Sequence, residues 1–332
     1  MIVTLTMNPS VDRTAGVAGS LERGGVNRLA DITDVAGGKG INVARVIKEA
    51  APKYARPEVL AVAPSSHSDP FAAMLGGAQI PHELVQVDDP VRVNLTVTEP
   101  DGTTTKLNAP GAEISDSART LLVDTVVGAA KQSASSWAVL CGSLPRGCPP
   151  DFYLDALTAL HDAGVSVALD TSDAPLEALG AAMRAGSRKG RFLPDLIKPN
   201  GLELGQLLGI DGSALESGAE AGEFAPVADA ARKLVDTGVG AALVTLGGAG
   251  ALLATADGVW SAGPPDIEVR STVGAGDSSL AGYLLAAHLD LDPLERLRWA
   301  VAHGSVAASL PGTGLPHALD MDQAPHIDVT SH

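Results

Sequence analysis

A chain of 332 residues with 45% hydrophobic side chains suits two average domains or one large α/β domain with a sizeable core. Aromatic residues make up only 3%, so Ala, Val and Leu must do the filling. The net charge of −16 argues against a nucleic-acid surface, which needs clustered Lys and Arg, and no apolar run approaches the ~20 residues that span a bilayer.

Residues 3–7 read as a first strand. No basic flank, long apolar stretch and cleavage site precede it, which points to a cytoplasmic protein. The stretch 12–31 is Gly-rich and lacks helical periodicity. A helix over 41–50 opens from a Gly-rich turn, and a second strand follows at 59–63. Residues 92–98 and 103–107 alternate around Pro100-Asp101-Gly102, the pattern of a β-hairpin. Strands at 137–141 and 165–169 flank a helix over 151–163. A strand at 242–245 precedes helices at 276–288 and 293–309.

Strands separated by helices of this length indicate βαβ units and a mainly parallel sheet. The hairpin and the 12–31 stretch are too small for a core of their own, so they must cover something, such as a pocket. The basic patch 184–191 and the acidic stretch 213–223 read as solvated surface loops. Cys141 and Cys148 fit neither CxxC nor zinc spacing and are expected as free thiols. The eight histidines are scattered, so no metal held directly by the protein is expected.

The sharpest chemistry lies in Gly274-Ala275-Gly276-Asp277. A strand-like stretch enters a Gly-rich turn and a helix follows, so freed amides and the positive end of the helix dipole favour an anion. A carboxylate at Asp277 either takes a proton from a hydroxyl beside a transferring phosphoryl group or merely caps the helix. Gly37-Gly38-Lys39-Gly40-Ile41-Asn42 repeats that logic with one cation and one amide, though it is neither a Walker A loop nor a GxGxxG fingerprint. Lys39 there either meets an anion or stays exposed on a close-packed turn. Lys198-Pro199-Asn200-Gly201-Leu202-Glu203 leaves a strand and starts a helix. Asn200 and Glu203 suit a hydrated Mg²⁺ held through water; alternatively Glu203 only complements the dipole. The bend from Thr245 through Gly247 to Gly250 suits nucleotide contact or a hairpin.

Order decides what no single motif does. Asn8-Pro9-Ser10-Val11-Asp12, the Gly37–Arg45 run, Gly142-Ser143-Leu144-Pro145, Lys198-Pro199-Asn200 with Glu203, Thr245-Leu246-Gly247 and the 274–277 turn together resemble the PfkB family of ribokinase-like carbohydrate kinases. The resemblance runs from about residue 1 to 315. Within the family the chain looks most like the phosphosugar branch, the 1-phosphofructokinases with tagatose-6-phosphate kinases close behind. Glu22-Arg23-Gly24, Val26-Asn27-Arg28, Lys39, Arg92-Val93-Asn94 and Asn108-Ala109-Pro110-Gly111 carry that likeness.

The resemblance implies a three-layer α/β/α fold with a mainly parallel central sheet and a small β lid. One kinase domain would cover 1–316, with the lid inserted at about 12–31 and 92–108, and 317–332 left as a C-terminal tail. It implies a homodimer joined through the lids, ATP and Mg²⁺, a small phosphosugar as partner, and neither nucleic acid nor membrane. The acceptor it favours is fructose 1-phosphate, giving fructose 1,6-bisphosphate; tagatose 6-phosphate and fructose 6-phosphate are the alternatives, and a non-catalytic sugar-phosphate sensor is the different class. By the same resemblance Asp12, Gly38 and Asn42 meet sugar hydroxyls. Arg28, Lys39 and Arg92, with Ser143, meet the phosphate already on the sugar. Lys198, Asn200, Glu203, Thr245, Gly247, Gly250 and His303 belong to the nucleotide and Mg²⁺ side. Gly274, Ala275 and Gly276 form the anion hole, with Asp277 as base. Two departures stand out: residues 61–66 replace a Gly-rich turn, and Asp173 follows Asp170-Thr171-Ser172 where the family has glycine.

Overall fold

Alternating apolar strands and Ala-rich helices form a layered α/β body in the computed structural model, which describes residues 1–50, 53–133, 136–186, 191–312, 314–316 and 327–332. The first half of the chain gives β1 (Ile2–Thr6), β2 (Ser10–Val17), β3 (Leu29–Gly37), α1 (Lys39–Glu49), β4 (Val59–Ser65), α2 (Phe71–Gly77), β5 (His82–Gln86), β6 (Arg92–Thr98), β7 (Thr104–Asn108) and α3 (Asp116–Ala130). The middle adds β8 (Trp137–Cys141), α4 (Phe152–Asp162), β9 (Ser166–Asp170), α5 (Asp173–Ala185), β10 (Leu196–Ile197), α6 (Gly201–Leu208), α7 (Gly212–Glu220) and α8 (Ala225–Asp236). The last part is β11 (Ala241–Thr245), β12 (Ala251–Thr255), β13 (Gly258–Ala262), α9 (Ala275–His288), α10 (Pro293–Ser309) and β14 (Val329–Ser331).

Among the described residues the main sheet has the order β14-β13-β12-β11-β10-β9-β8-β1-β4-β5. From β5 to β11 every pairing is parallel, and β12, β13 and β14 extend the sheet antiparallel. Both faces are covered, so each strand feeds two cores by alternation. Val167 and Leu169 of β9 point into the core under α3, α4 and α8, while Ala168 points under α1, α9 and α10. The scarcity of aromatics is met by close backbone approach. A Cβ on Gly40 would overlap the Thr6 hydroxyl, so α1 settles directly onto β1.

The second sheet, in the order β3-β2-β6-β7, is the lid. The 92–108 hairpin is present as expected. The other half is a second hairpin that runs on to Gly37, beyond the expected 31, because β2 pairs with β3 over its whole length. Register puts Asp12, Thr14, Asn94, Thr96 and Lys106 on the cleft side. The opposite face carries Val93, Leu95 and Leu107, with the Arg13–Asp34 ion pair at 2.6 Å among them.

Several expectations are corrected. The 213–223 stretch is not a loop: α7 is capped by Asp211 and buries Leu215 and Ala219. Its small residues hid the helical pattern, since Gly212 lies against the Gly205 backbone where larger side chains would have marked a buried face. Arg184 lies in the last turn of α5 and donates to the Leu207 carbonyl at 2.7 Å, and residues 187–190 lie outside the described residues. The expected tail, of which 317–326 lie outside the described residues, ends inside the body: Ile327 is buried and β14 pairs with β13. No helix among the described residues is long and apolar enough to cross a membrane.

Candidate active site

The carboxyl ends of the parallel strands, where crevices form in α/β sheets, bring together the lid base and the N-termini of α1 and α9. Gly274 takes the helix-cap position of α9 at φ 76°, a left-handed conformation suited to glycine, and no side chain caps the helix. Asp277 therefore is not there as a cap. It is buried in the first turn, and its Oδ2 accepts a 2.8 Å hydrogen bond from Asn42 Nδ2. Burial, then the negative charge of Asp170, push its pKa up to about 6, against the pull of Asn42, Lys39 and Lys198. A buried carboxylate with one oxygen uncommitted and a proton affinity near neutral is suited to take a hydroxyl proton.

Asp12, Asn42 and Gly274 line one small enclosure with Arg45, at the point where lid meets body. Asp12 is held rigidly: its Oδ1 accepts from Ser10 Oγ at 2.7 Å and from Asn94 Nδ2 at 3.0 Å. Gly38 caps α1 without a side chain, leaving the first amides of that helix open to the cleft. A cleft of about 630 Å³ separates the lid from the 269–273 segment.

Arg92 starts β6 and donates from Nη1 to the Ala109 carbonyl at 3.1 Å and from Nη2 to the Asn8 carbonyl at 3.2 Å. Its Nε is buried without a partner, and burial pulls its pKa below the ordinary guanidinium value. Two neutral carbonyls orient this cation and no carboxylate ion pair neutralises it among the described residues, so it remains available to an anion. Ser143 is close by, its Oγ accepting from Asn8 Nδ2 at 3.3 Å. Lys39, in contrast, is paired: its Nζ donates to Asp170 Oδ1 at 2.8 Å. Burial is the largest single influence on the Lys39 pKa and lowers it, but Asp170, Asp277 and Glu203 together outweigh it, so the net direction is upward.

On the far side, Thr245, Gly247 and Gly250 line a groove of about 370 Å³ together with Ile267, Val301 and Ser305. Its inner end is Ala275 and Gly276, so the groove runs straight into the 274–277 turn. Asn200 and Glu203 form a reciprocal capping box at the start of α6, with bonds of 2.7 and 2.9 Å. Burial pushes Glu203 up. Lys198 Nζ lies 3.3 Å from Asp170 Oδ2.

Two of the expected residues are placed elsewhere. His303 does not line the groove. Its Nδ1 faces the Trp299 carbonyl at 2.7 Å, its ring stacks on Trp299 and abuts Gly282, and burial lowers its pKa to about 4. Trp299 in turn meets Tyr54 edge-on. The 3.6-residue period explains the miss: Val301, Gly304, Ser305 and Ala308 form the groove side of α10, and His303 faces away into α9. Arg28 is exposed just before β3, at the opposite end of that strand from Gly37.

Asp170 was missed as a site residue, although a carboxylate closing a parallel strand was a usable signal. Asn8, Arg45 and Asn94 were missed because their roles depend on lid geometry. The two departures are built differently from glycine turns. Asp69 organises the turn after β4 by accepting from Ser65 Oγ and from the amides of Ser66, Phe71 and Val91, all at 2.9 to 3.0 Å. Asp173 stands at φ 59° where glycine would be relaxed.

Comparison with known proteins agrees with this geometry. Residues 5–319 match the pfkB family carbohydrate kinase profile. The chain is 34% identical over 316 residues to the 1-phosphofructokinase of Rhodobacter capsulatus, covering 95% of this chain and 92% of that protein. It is 31% identical over 314 residues to the 1-phosphofructokinase of Escherichia coli (strain K12), covering 95% and 93%. The crystal structure of phosphofructokinase-2 from Escherichia coli in complex with fructose-6-phosphate superposes with a TM-score of 0.82 at 26% identity, over 97% of each chain. The chain belongs to the pfkB family of carbohydrate kinases.

Proposed function

We propose that this pfkB-family kinase transfers the γ-phosphoryl group of ATP to the C6 hydroxyl of fructose 1-phosphate, giving fructose 1,6-bisphosphate. The observation that carries the reading is the position of Asp277. It is a buried carboxylate with a pKa of about 6, standing where a groove suited to a nucleotide meets the lid cleft. The substrate assignment adds the unneutralised Arg92, which suits a phosphate already on the sugar, and the 1-phosphofructokinase relatives.

The sugar lies between Asp12 and Asn42, with its phosphate toward Arg92 and Ser143. Positioning turns a bimolecular transfer into an in-line one. The C6 oxygen attacks the γ-phosphorus, the bond to the β-phosphate oxygen breaks, and ADP leaves. The hydroxyl proton passes to Asp277 through the oxygen that Asn42 does not hold. Amides of the 274–276 turn and the Lys198 ammonium stabilise charge on the transferring group. Mg²⁺, when bound with the nucleotide, supplies further charge neutralisation on the phosphates. The capping box commits Asn200 Oδ1 and Glu203 Oε2, which leaves the second Glu203 oxygen to hold a hydrated ion through water. Thr245, Gly247 and Gly250 take the nucleotide.

The outer lid face supports a homodimer. Ile32, Val93 and Leu107 are 55%, 40% and 58% exposed on a sheet with open edges, which a second lid would cover. The fructose-6-phosphate complex of phosphofructokinase-2 supports a second acceptor reading. Both are separated by one measurement: ADP release under equal Mg-ATP with fructose 1-phosphate, fructose 6-phosphate and tagatose 6-phosphate. The highest kcat/KM is expected for fructose 1-phosphate. A 6-phosphate winning overturns the specificity, and no turnover of any phosphosugar overturns the kinase reading.

A further inference from the structure

Asp170 closes β9 and has no exposed side-chain surface. Two ammonium groups reach it from different elements, and they are held unequally. Lys39, from the first turn of α1, donates a short 2.8 Å bond to Oδ1. Lys198, from the segment between β10 and α6, stands farther off, 3.3 Å from Oδ2, and holds that oxygen more loosely. Lys198 Nζ is also 3.2 Å from where a Cβ on Gly276 would lie, against the anion-binding turn. One lysine thus flanks the sugar side and the other the nucleotide side of the same carboxylate.

Asp170, Asp277, Lys39 and Lys198 make a neutral set of four charges in a pocket where Asp170, Asp277 and Lys198 are buried and Lys39 has a third of its side chain exposed. The other titratable groups facing it are Glu203 from α6, the buried Cys141 thiol from β8 and the buried Tyr153 hydroxyl from α4. Among the described residues the Asp277 side chain bonds to the neutral Asn42 amide alone, while both lysines lean on Asp170. That division is what base chemistry needs. A lysine released inside such a pocket turns to the remaining carboxylate, and a carboxylate paired with an ammonium loses its affinity for a proton.

We infer that Asp170 is a positioning residue that holds Lys39 and Lys198 on either side of the transfer point and keeps both ammonium groups off Asp277. The inference rests on the kinase reading above. It assigns Asp170 no contact with substrate; it acts through the two lysines and through the freedom of the base.

The test is steady-state kinetics of the full chain with Mg-ATP and fructose 1-phosphate between pH 5 and 9, for wild type, Asp170→Asn, Lys39→Met and the double variant. Misplaced lysines should cost Asp170→Asn about 10²-fold in kcat, with little change in KM for ATP. Its acid limb should move at least about one pH unit below that of wild type, which is expected near pH 6. Lys39→Met, which strips a cation from the base, should move the limb upward. The double variant should lie between the two and be no slower than Lys39→Met alone. A loss of rate in Asp170→Asn with the limb unmoved overturns the inference, as do multiplicative losses in the double variant. Should Asp170→Asn fail to fold, the charge-balanced double variant against Lys39→Met decides it alone. Wild-type protein that turns over no phosphosugar refutes the kinase reading itself, an outcome distinct from an active enzyme whose limb stays fixed.

Discussion

The amide of Asn42 donates a 2.8 Å hydrogen bond to Asp277 Oδ2 across 235 residues of sequence, tying the first turn of α1 to the first turn of α9. The two Gly-rich motifs are one device. The first fixes the orientation of the carboxylate that the second supplies.

Asp277→Asn keeps that bond, since an amide oxygen still accepts from Asn42, but it takes no proton. Turnover should fall by about 10²–10⁴-fold. The folded protein raises the pKa of this carboxylate to about 6, so keeping it ionised at pH 7 opposes folding. The neutral variant should be more stable by about 1–3 kcal/mol at pH 7, with the gain shrinking as pH falls below 6 and the wild-type group becomes neutral too. Thermal melts of both proteins at pH 7 and pH 5 check this; a less stable variant contradicts it.

Arg92→Ala removes the unneutralised guanidinium and leaves the nucleotide groove untouched. A lost charge-assisted hydrogen bond corresponds to an increase of about 10–100-fold in KM for the phosphosugar, with KM for ATP within about twofold. Equal changes in both constants would mean that Arg92 only braces the lid against the Asn8 and Ala109 carbonyls.

Leu107→Asp places a carboxylate on the exposed apolar face of the lid. Sedimentation should find wild type as a dimer at micromolar concentration and the variant as a monomer, since covering such a side chain contributes about 1.5–3 kcal/mol. A monomeric, fully active wild type removes the lid-to-lid dimer.

His161 carries a pH-dependent part of the stability. Its Nδ1 faces the Arg191 carbonyl at 2.6 Å and its Nε2 faces Asp195 Oδ2 at 3.0 Å; both partners accept, an arrangement that favours the doubly protonated ring. The Asp195 bond raises its pKa against the opposing effect of burial. Stability from a raised histidine is complete below its unfolded pKa of ~6.5 and is lost as pH rises through the folded value. His161→Gln should therefore be about 1–3 kcal/mol less stable than wild type at pH 5.5, with the gap closing at higher pH. A gap that widens with pH disproves the assignment.

Asp173→Gly should be neutral or stabilising by up to about 1 kcal/mol in urea titrations. Relief of a left-handed aspartate at φ 59° is set against the greater freedom of glycine in the unfolded chain. Loss of more than that would assign Asp173 a role beyond its backbone.

Much of the frame was legible because it rested on local chemistry. Pro100-Asp101-Gly102 announced the hairpin, and Lys198-Pro199-Asn200 marked a strand leaving into a helix that the capping box of Asn200 and Glu203 duly starts. What was hidden depended on distance or on small side chains. Asp170 looks ordinary in sequence and gains its meaning only when α1 and the segment after β10 deliver lysines to it. Arg92 was found as a cation, but its tether to Asn8 and Ala109 required the 92–108 hairpin to be folded beside the β1–β2 connection. Glycine and alanine faces, as on α7, carry no periodic contrast to read. His303 sat on the right helix and the wrong side of it.

The Trp299–Tyr54–His303 stack has a practical corollary for optical work. The chain has three tryptophans, Trp137 on β8, Trp260 on β13 and Trp299 on α10, all of them in the body. Intrinsic fluorescence should report unfolding of the main sheet and events behind the nucleotide groove, while staying dark to movements of the lid. A lid probe has to be installed, and the aromatic-free cleft strands offer positions where one added indole would be read against a clean background.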